Sequence, residues 1–479
     1  MSTTAAKSPA DAATKAPVGY PTHVPERDLS PFRLPKNPPG PRGIPVLGVA
    51  PAMALNFWEC ARKIADEYGD IARLPFPTRK PVYLISNADL VGEVFVRRPK
   101  NHWKGQMLGP ISEGLPASPM PTSDGEPWRK VRSLAQPHFT MRSMKTLNSV
   151  MQPAIDEHID SLDALAGTGE TIKMEAVLST MTMDVLMRAM FTRRRDPRQL
   201  LELGKDYRSA TLGSAFRWAL FWAPSVLRKP FTRSGDQSRD KLVAFIRSMV
   251  AERRANPTDD PDLLNALLNA TGEDGTLSDD QLTAELYTLV LAGFETTAAA
   301  LSWTLALLSI NPAACERAEA EADSIEGAPG FDDLGKLTYL RACFDEAQRI
   351  QGIPFYSRDS YEEQELGGYR IPANSILLAS PYALQHDPRY WPEPDKFSPE
   401  RWLEGETEKN AWLPFGVGPR RCLGMHMANT EATLFLGQAL QRFRFRTAPG
   451  FTPKRYFHLS TSVKGGCEMT IERRVRTQA

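Results

Sequence analysis

Cysteine is scarce in this chain of 479 residues, and the five present, Cys60, Cys315, Cys343, Cys422 and Cys467, are widely scattered and odd in number. They contain no C-x-x-C and form no disulfide framework, which favours a reducing, cytoplasmic setting. Net charge is scarce as well. With 58 basic against 57 acidic residues the chain carries only +1, so nothing in the bulk charge calls for nucleic acid or an anionic surface. No internal repeat of about twenty to fifty residues is visible, which excludes a solenoid. The amino-terminal stretch, rich in Ala, Pro, Ser and Thr, has no apolar run long enough for a signal peptide or membrane anchor. A soluble protein is expected, with residues 1–39 as a mobile Ala/Pro-rich tail and residues 40–479 as one domain.

What is present suits a large buried core: 42% of the residues are hydrophobic and 24% charged. Length alone would allow two or three domains, yet no linker is apparent. "NFWECARKIADEYGD" has helical spacing. "IARLPFP" and "KPVYLIS" predict a short hairpin, and "NADLVGEVFVRRP" a helix opened by Asn87 or Asp89. Residues 127–191 are helical apart from the glycine-rich break "AGTGE", and roughly 200–310 are almost all helix. "YRIPANSILLASPYALQHD" returns to strand-like content, and "HLSTSVKGGCEMTIERR" predicts a terminal hairpin turning at Gly465-Gly466. The fold class is mainly α with small β-sheets.

The longest predicted helix begins at Asp279, where Ser278 and Gln281 form a capping box beside a Leu277–Leu282 staple, and it must stop at Asn311-Pro312. Halfway along lies "LAGFETTAAAL". Gly293 weakens a helix interior by about 1 kcal/mol relative to alanine, and Glu295-Thr296-Thr297 interrupts an apolar stripe. Taken alone, the segment also fits a solvent-facing turn. The functional alternative is that Gly293 lets a flat ligand lie against the backbone while Thr296 and Glu295 handle protons. Downstream, Glu346 and Arg349 stand three apart on one helix, and the proline-rich "WPEPDKFSPERWL" leads to Arg401, which can return to that pair.

"LPFGVGPRRCLGMH" holds one cysteine with no neighbouring ligands for a metal cage. Gly416 and Gly418 permit a tight loop, and the helical spacing resumes at Leu423. Cys422 therefore precedes a helix N-terminus, where free N–H groups favour a thiolate. A lone thiolate suits the axial position of a haem iron, whose four equatorial ligands come from the macrocycle.

With these residues in view, the chain resembles the cytochrome P450 superfamily of haem-thiolate monooxygenases, over about residues 40–475. F-x-x-G-x-R-x-C-x-G is complete in Phe415, Gly418, Arg420, Cys422 and Gly424. A-G-x-[DE]-T-T is present as Ala292, Gly293, Glu295, Thr296 and Thr297, E-x-x-R as Glu346 and Arg349, and P-E-R-[FW] as Pro399 to Trp402. The resemblance implies a triangular, mostly helical fold with haem b (iron protoporphyrin IX) between the long helix and the Cys422 loop. It implies propionate contacts from Trp128, Arg132, Arg358 and Arg420, with Lys100 and Lys104 as further candidates, although "RIQGIPFYSR" departs from the family's proline pair near Arg358. It assigns Cys422 to the iron, Thr296 and Glu295 to oxygen and proton handling, Phe415 to shielding the sulfur, and Glu346, Arg349 and Arg401 to a structural network. His138 and His426 are expected to be structural.

The same resemblance implies O2 and a small lipophilic substrate, and electrons from a separate ferredoxin or flavodoxin system docking near Arg421 and Lys409. A monomer is expected. The aromatic and basic stretch 212–233 corresponds to the substrate lid, with ordinary packing or contact with a membrane surface as its two readings, and "RRRDPR" at 193–198 reads as a solvated loop. A peroxide-driven peroxygenase or hydroperoxide isomerase and a non-catalytic haem sensor are the competing functions. The Glu295-Thr296 pair argues against both.

Overall fold

The protein is described from a computed structural model, covering residues 37–475 other than 106–107, 193–195, 221–224, 273–274, 406 and 458–459. The amino-terminal tail, much of "RRRDPR" and part of the predicted lid therefore lie outside the described residues.

Helices dominate, and their boundaries follow local chemistry. Asn87 accepts from the N–H groups of Asp89 and Leu90 to open the helix Ala88–Gly92, and Thr140 caps Met141–Ser161 by accepting from Ser143 N–H. The glycine-rich break ends that segment before Met174–Phe191, and the helices Pro197–Ala219 and Ser225–Ala255 follow as an antiparallel pair.

The central helix, Asp279–Ile310, is apolar on nearly every face because protein surrounds it on nearly every face. Its 32 residues correspond to about 48 Å at 1.5 Å per residue. Hydroxyls along it, including Thr288, Ser302 and Thr304, donate to carbonyls one turn back, so the polar groups remain satisfied in an apolar setting. Only half of the predicted capping box forms. Ser278 Oγ accepts from Gln281 N–H at 3.2 Å, but the Gln281 amide turns away to donate to Ser118 O and Glu285 Oε1.

The sheets lie at the margins. Ile71–Leu74 and Val82–Ile85 form the predicted antiparallel hairpin, which continues in parallel to Ile376–Ala379 and then through Tyr356–Ser360 to His102–Trp103. The predicted terminal hairpin does not form. Thr461–Val463 pairs with Arg455–Phe457, whereas Glu468–Arg473 pairs with Phe443–Arg446 and Ile172–Lys173. Gly465 and Gly466 do turn the chain, at φ +89° and +85°, but they hand it from one sheet to another.

Candidate functional site

Residues 413–424 form a loop whose shape is set by its glycines. Gly416 and Gly418 have φ of +66° and +69°, and a Cβ on Gly418 would lie 2.1 Å from Phe95 O. Gly418 therefore serves the turn and the close approach to the Phe95 segment. A Gly418→Ala substitution must both strain the backbone and displace that segment, so a loss of at least about 1–3 kcal/mol is expected, read as a lower Tm and poorer haem retention. Cys422 N–H donates to Phe415 O at 2.8 Å and closes the loop on itself. Tyr356 Oη donates to Leu413 O at 2.9 Å and braces it from the sheet. Behind Cys422 the helix Met425–Arg442 begins, with Gly424 at its N-cap.

This loop faces the central helix across a cavity of about 360 Å³. Cys422, Phe415 and Gly424 of the loop line it, as do Ala292, Gly293, Thr296 and Thr297 of the central helix. Ala292 and Thr296 stand four apart and so share a helix face. Thr296 Oγ1 donates to Ala292 O at 2.6 Å, leaving the oxygen's lone pairs free to accept within the cavity. Gly293 presents its backbone to the cavity, but its missing side chain is explained by a neighbouring helix: a Cβ there would meet Leu186 at 2.9 Å. The glycine thus also permits close helix packing, a reason not visible in the motif.

Glu295 is buried and does not itself line the cavity, although its neighbour Thr296 does. Burial, reinforced by the Glu175 carboxylate and opposed by Arg208, pushes its carboxyl up to about 7. Cys422 Sγ is open to the cavity yet deep in the molecule. Burial raises its thiol above the usual range, with the Gly424 N–H and the Arg132 and Arg421 guanidinium groups acting in the opposite direction. The helix terminus and these cations alone do not overcome desolvation.

One side of the cavity is strongly cationic. Lys104, Arg358 and Arg420 gather beside it around Asp124, which pairs with Arg420 at 2.5 Å, and Arg132 adds its charge near Arg420 and Cys422. Arg420 also stacks over Trp128, 4.0 Å from the ring centroid. Burial and then Arg420 lower Arg358 to about 9, and burial and its neighbouring cations push Lys104 well below its usual range. Such crowding of buried cations calls for anions. Two carboxylates of a bound group would meet that need, and the open thiol would suit a metal carried by the same group. Among the described residues no cluster of three or more His, Cys, Asp or Glu side chains could hold a metal alone, and a metal at Cys422 would take its other ligands from the bound group.

A family model described as cytochrome P450 matches residues 38–466. The chain belongs to the cytochrome P450 family. A relative named cyclooctatin synthase, from Streptomyces melanosporofaciens, is 32% identical over 86% of this chain and 90% of its own length. Another from the same organism, named cyclooctat-9-en-7-ol 5-monooxygenase, is 31% identical with the same coverage. The crystal structure of the cytochrome P450DA haem domain superposes with a TM-score of 0.82 at 24% identity, covering 93% of this chain and 99% of that one. The last likeness shows the fold. Together, family and relatives make this P450 an oxidoreductase of the monooxygenase kind, and the family carries haem.

Of the P450 residues singled out from sequence, Cys422, Phe415, Gly424, Trp128, Arg132, Arg420, Ala292, Gly293 and Thr296 line the cavity. Arg358 and Gly418 do not line it. Arg358 is buried in the sheet, with its guanidinium 4.5 Å from the Phe95 ring centroid. Glu346, Arg349 and Arg401 come together away from the cavity, beneath the proline-rich meander. Lys104 and Tyr356 gain their importance here. Tyr356 had a sequence signal, since it lies in the segment that departs from the family's proline pattern. Lys104 had only its charge.

Proposed function

We propose that this P450 binds haem b through Cys422 and inserts one oxygen atom of O2 into a small lipophilic substrate, using electrons from a separate ferredoxin or flavodoxin system. The observation that carries this reading is the single open thiol facing Thr296 across a cavity flanked by buried cations. Haem, when bound, supplies the activation of oxygen. The chain's own residues do the rest. Arg132, Arg420 and Lys104, with Trp128, would hold the propionates, and Arg358 would add positive charge from behind. Phe415 covers the sulfur side and excludes water from it.

Thr296 Oγ1 is free to accept a hydrogen bond from water in the cavity while its own proton stays on Ala292 O. Glu295, with a carboxyl near 7, can both take and release a proton at neutral pH: it is mostly neutral below that value and mostly ionised above it. The charged groups facing it are Glu175 and Arg208. Thr296→Ala should retain haem but lose most product formation, with reducing equivalents appearing as peroxide. Measured ratios of product and peroxide to NAD(P)H consumed check this, and full coupling in the variant would remove Thr296 from proton handling. The cytoplasm belongs to the same proposal, supported by five free thiols.

The test of the whole reading is turnover with a reductase system, with peroxide alone, and with neither. Product only with the reductase system supports it. Activity with peroxide alone, at full rate, would make the protein a peroxygenase, and ligand binding without product would make it a sensor.

A further inference from the structure

Three turns before Thr296, on the same face of the central helix, a carboxyl group reaches the cavity. Glu285, Leu289, Ala292 and Thr296 follow spacings of four, three and four, and all line it. Eleven residues at 1.5 Å each separate Glu285 from Thr296 by about 16 Å along the axis. Glu285 is only 4% exposed. Its Oε1 accepts from Met120 N–H at 2.9 Å and from the Gln281 amide at 2.6 Å, and its Oε2 accepts from Met120 N–H at 3.1 Å.

These contacts leave hydrogen-bonding capacity unused. A carboxylate offers about four lone-pair sites, and a neutral carboxyl offers an O–H as well. Burial pushes Glu285 up to about 8, so the neutral form with that O–H predominates at neutral pH. The neighbouring wall does not compete for it. Thr288 donates to Ala284 O and Glu285 O, and Leu289 and Ala292 are apolar. The face of the central helix between Glu285 and Thr296 is therefore apolar apart from a hydroxyl already bonded to the backbone.

We infer that Glu285 is a specificity-determining residue that binds a hydroxyl group on an elongated lipophilic alcohol, placing a carbon roughly 12–16 Å away beside Thr296 for oxidation. A hydroxyl is the partner that suits both protonation states of the carboxyl, since it donates to one and accepts from the other. The inference rests on the oxygenase reading for the fate of the substrate, but not for its binding.

The test uses the full haem-loaded chain and equilibrium dialysis of 1-dodecanol against tridecane, a hydrocarbon with the same number of heavy atoms. The wild-type protein should bind the alcohol about tenfold more tightly, as for one buried hydrogen bond. Glu285→Leu should bring the two ligands within about twofold, and Glu285→Gln should keep most of the preference. Equal binding by the wild type overturns the inference. So does a preference that survives in Glu285→Leu, including the case where both ligands weaken together because Met120 has lost its anchor. Product analysis adds an independent readout, with oxidation expected at the end of 1-dodecanol remote from its hydroxyl. Preferential binding without any product would leave the Glu285 assignment standing and overturn the oxygenase reading instead.

Discussion

Cys422→Ser is expected to abolish oxygenation and to remove the strongly red-shifted Soret band of the reduced, carbon monoxide-treated protein. The loop should still close, because the bond from residue 422 N–H to Phe415 O is a backbone bond and Gly416 and Gly418 are unchanged. What disappears is the soft anionic ligand. A serine hydroxyl ionises far less readily than a thiol, and this cavity already disfavours ionisation of the group at its foot through desolvation. Haem content measured alongside the spectrum separates two effects. Reduced occupancy with no thiolate-type band is the expected result, whereas an unaltered band would remove Cys422 from the iron.

Glu346→Ala should produce the largest loss of stability. Arg349 donates to both Glu346 oxygens at 2.8 and 2.9 Å, and Arg401, Trp402 Nε1 and Ser398 N–H donate to the same carboxylate. Glu346 and Arg349 have 0% side-chain exposure. Arg349 also donates to the carbonyls of Gln385, Pro394 and Lys396, so the ion pair fastens the proline-rich meander to the helix Thr338–Gln351. Removing one partner leaves a buried guanidinium without its counter-charge, a loss of about 3–5 kcal/mol. That is a large share of the net stability of an ordinary domain. Thermal unfolding and the yield of haem-loaded protein should both fall steeply, and a variant with unchanged Tm would contradict the network's structural role. Glu346→Gln should recover part of the loss, because it keeps the shape and one acceptor.

Cys422 and Glu346 are both legible in the amino-acid sequence, and for a common reason. Each belongs to a short motif in which spacing along one element carries the chemistry: a cysteine between glycine corners and a helix start, or an acid and an arginine one helical turn apart. The same locality makes the central helix readable from its staple, its cap and its terminating proline. It also makes the pairing of Ile71–Leu74 with Val82–Ile85 readable, since the two strands are adjacent in sequence.

Legibility ends where the answer depends on a distant partner. Gly465-Gly466 has the form of a hairpin turn, but Glu468–Arg473 finds better partners in Phe443–Arg446 and Ile172–Lys173. Gln281 has the spacing for half of a capping box, but Ser118 and Glu285 claim its amide. Gly293 suggests room for a ligand alone, but a Cβ there would also crowd the Leu186 side chain at 2.9 Å.

The sequence by itself determined the lone Cys422 ahead of a helix start, the adjacent Glu295 and Thr296, the Glu346–Arg349 motif and the mainly helical class, because each is written in residue types at fixed local spacing. Only the tertiary structure decided that Lys104, Arg358 and Arg420 gather around Asp124, that Tyr356 braces the cysteine loop, and that Glu285 lines the same cavity as Cys422 and Thr296. Those roles arise from burial and from contacts between segments far apart in the chain, and side-chain ionisation and hydrogen bonding respond to what surrounds a group in space rather than to what flanks it in sequence.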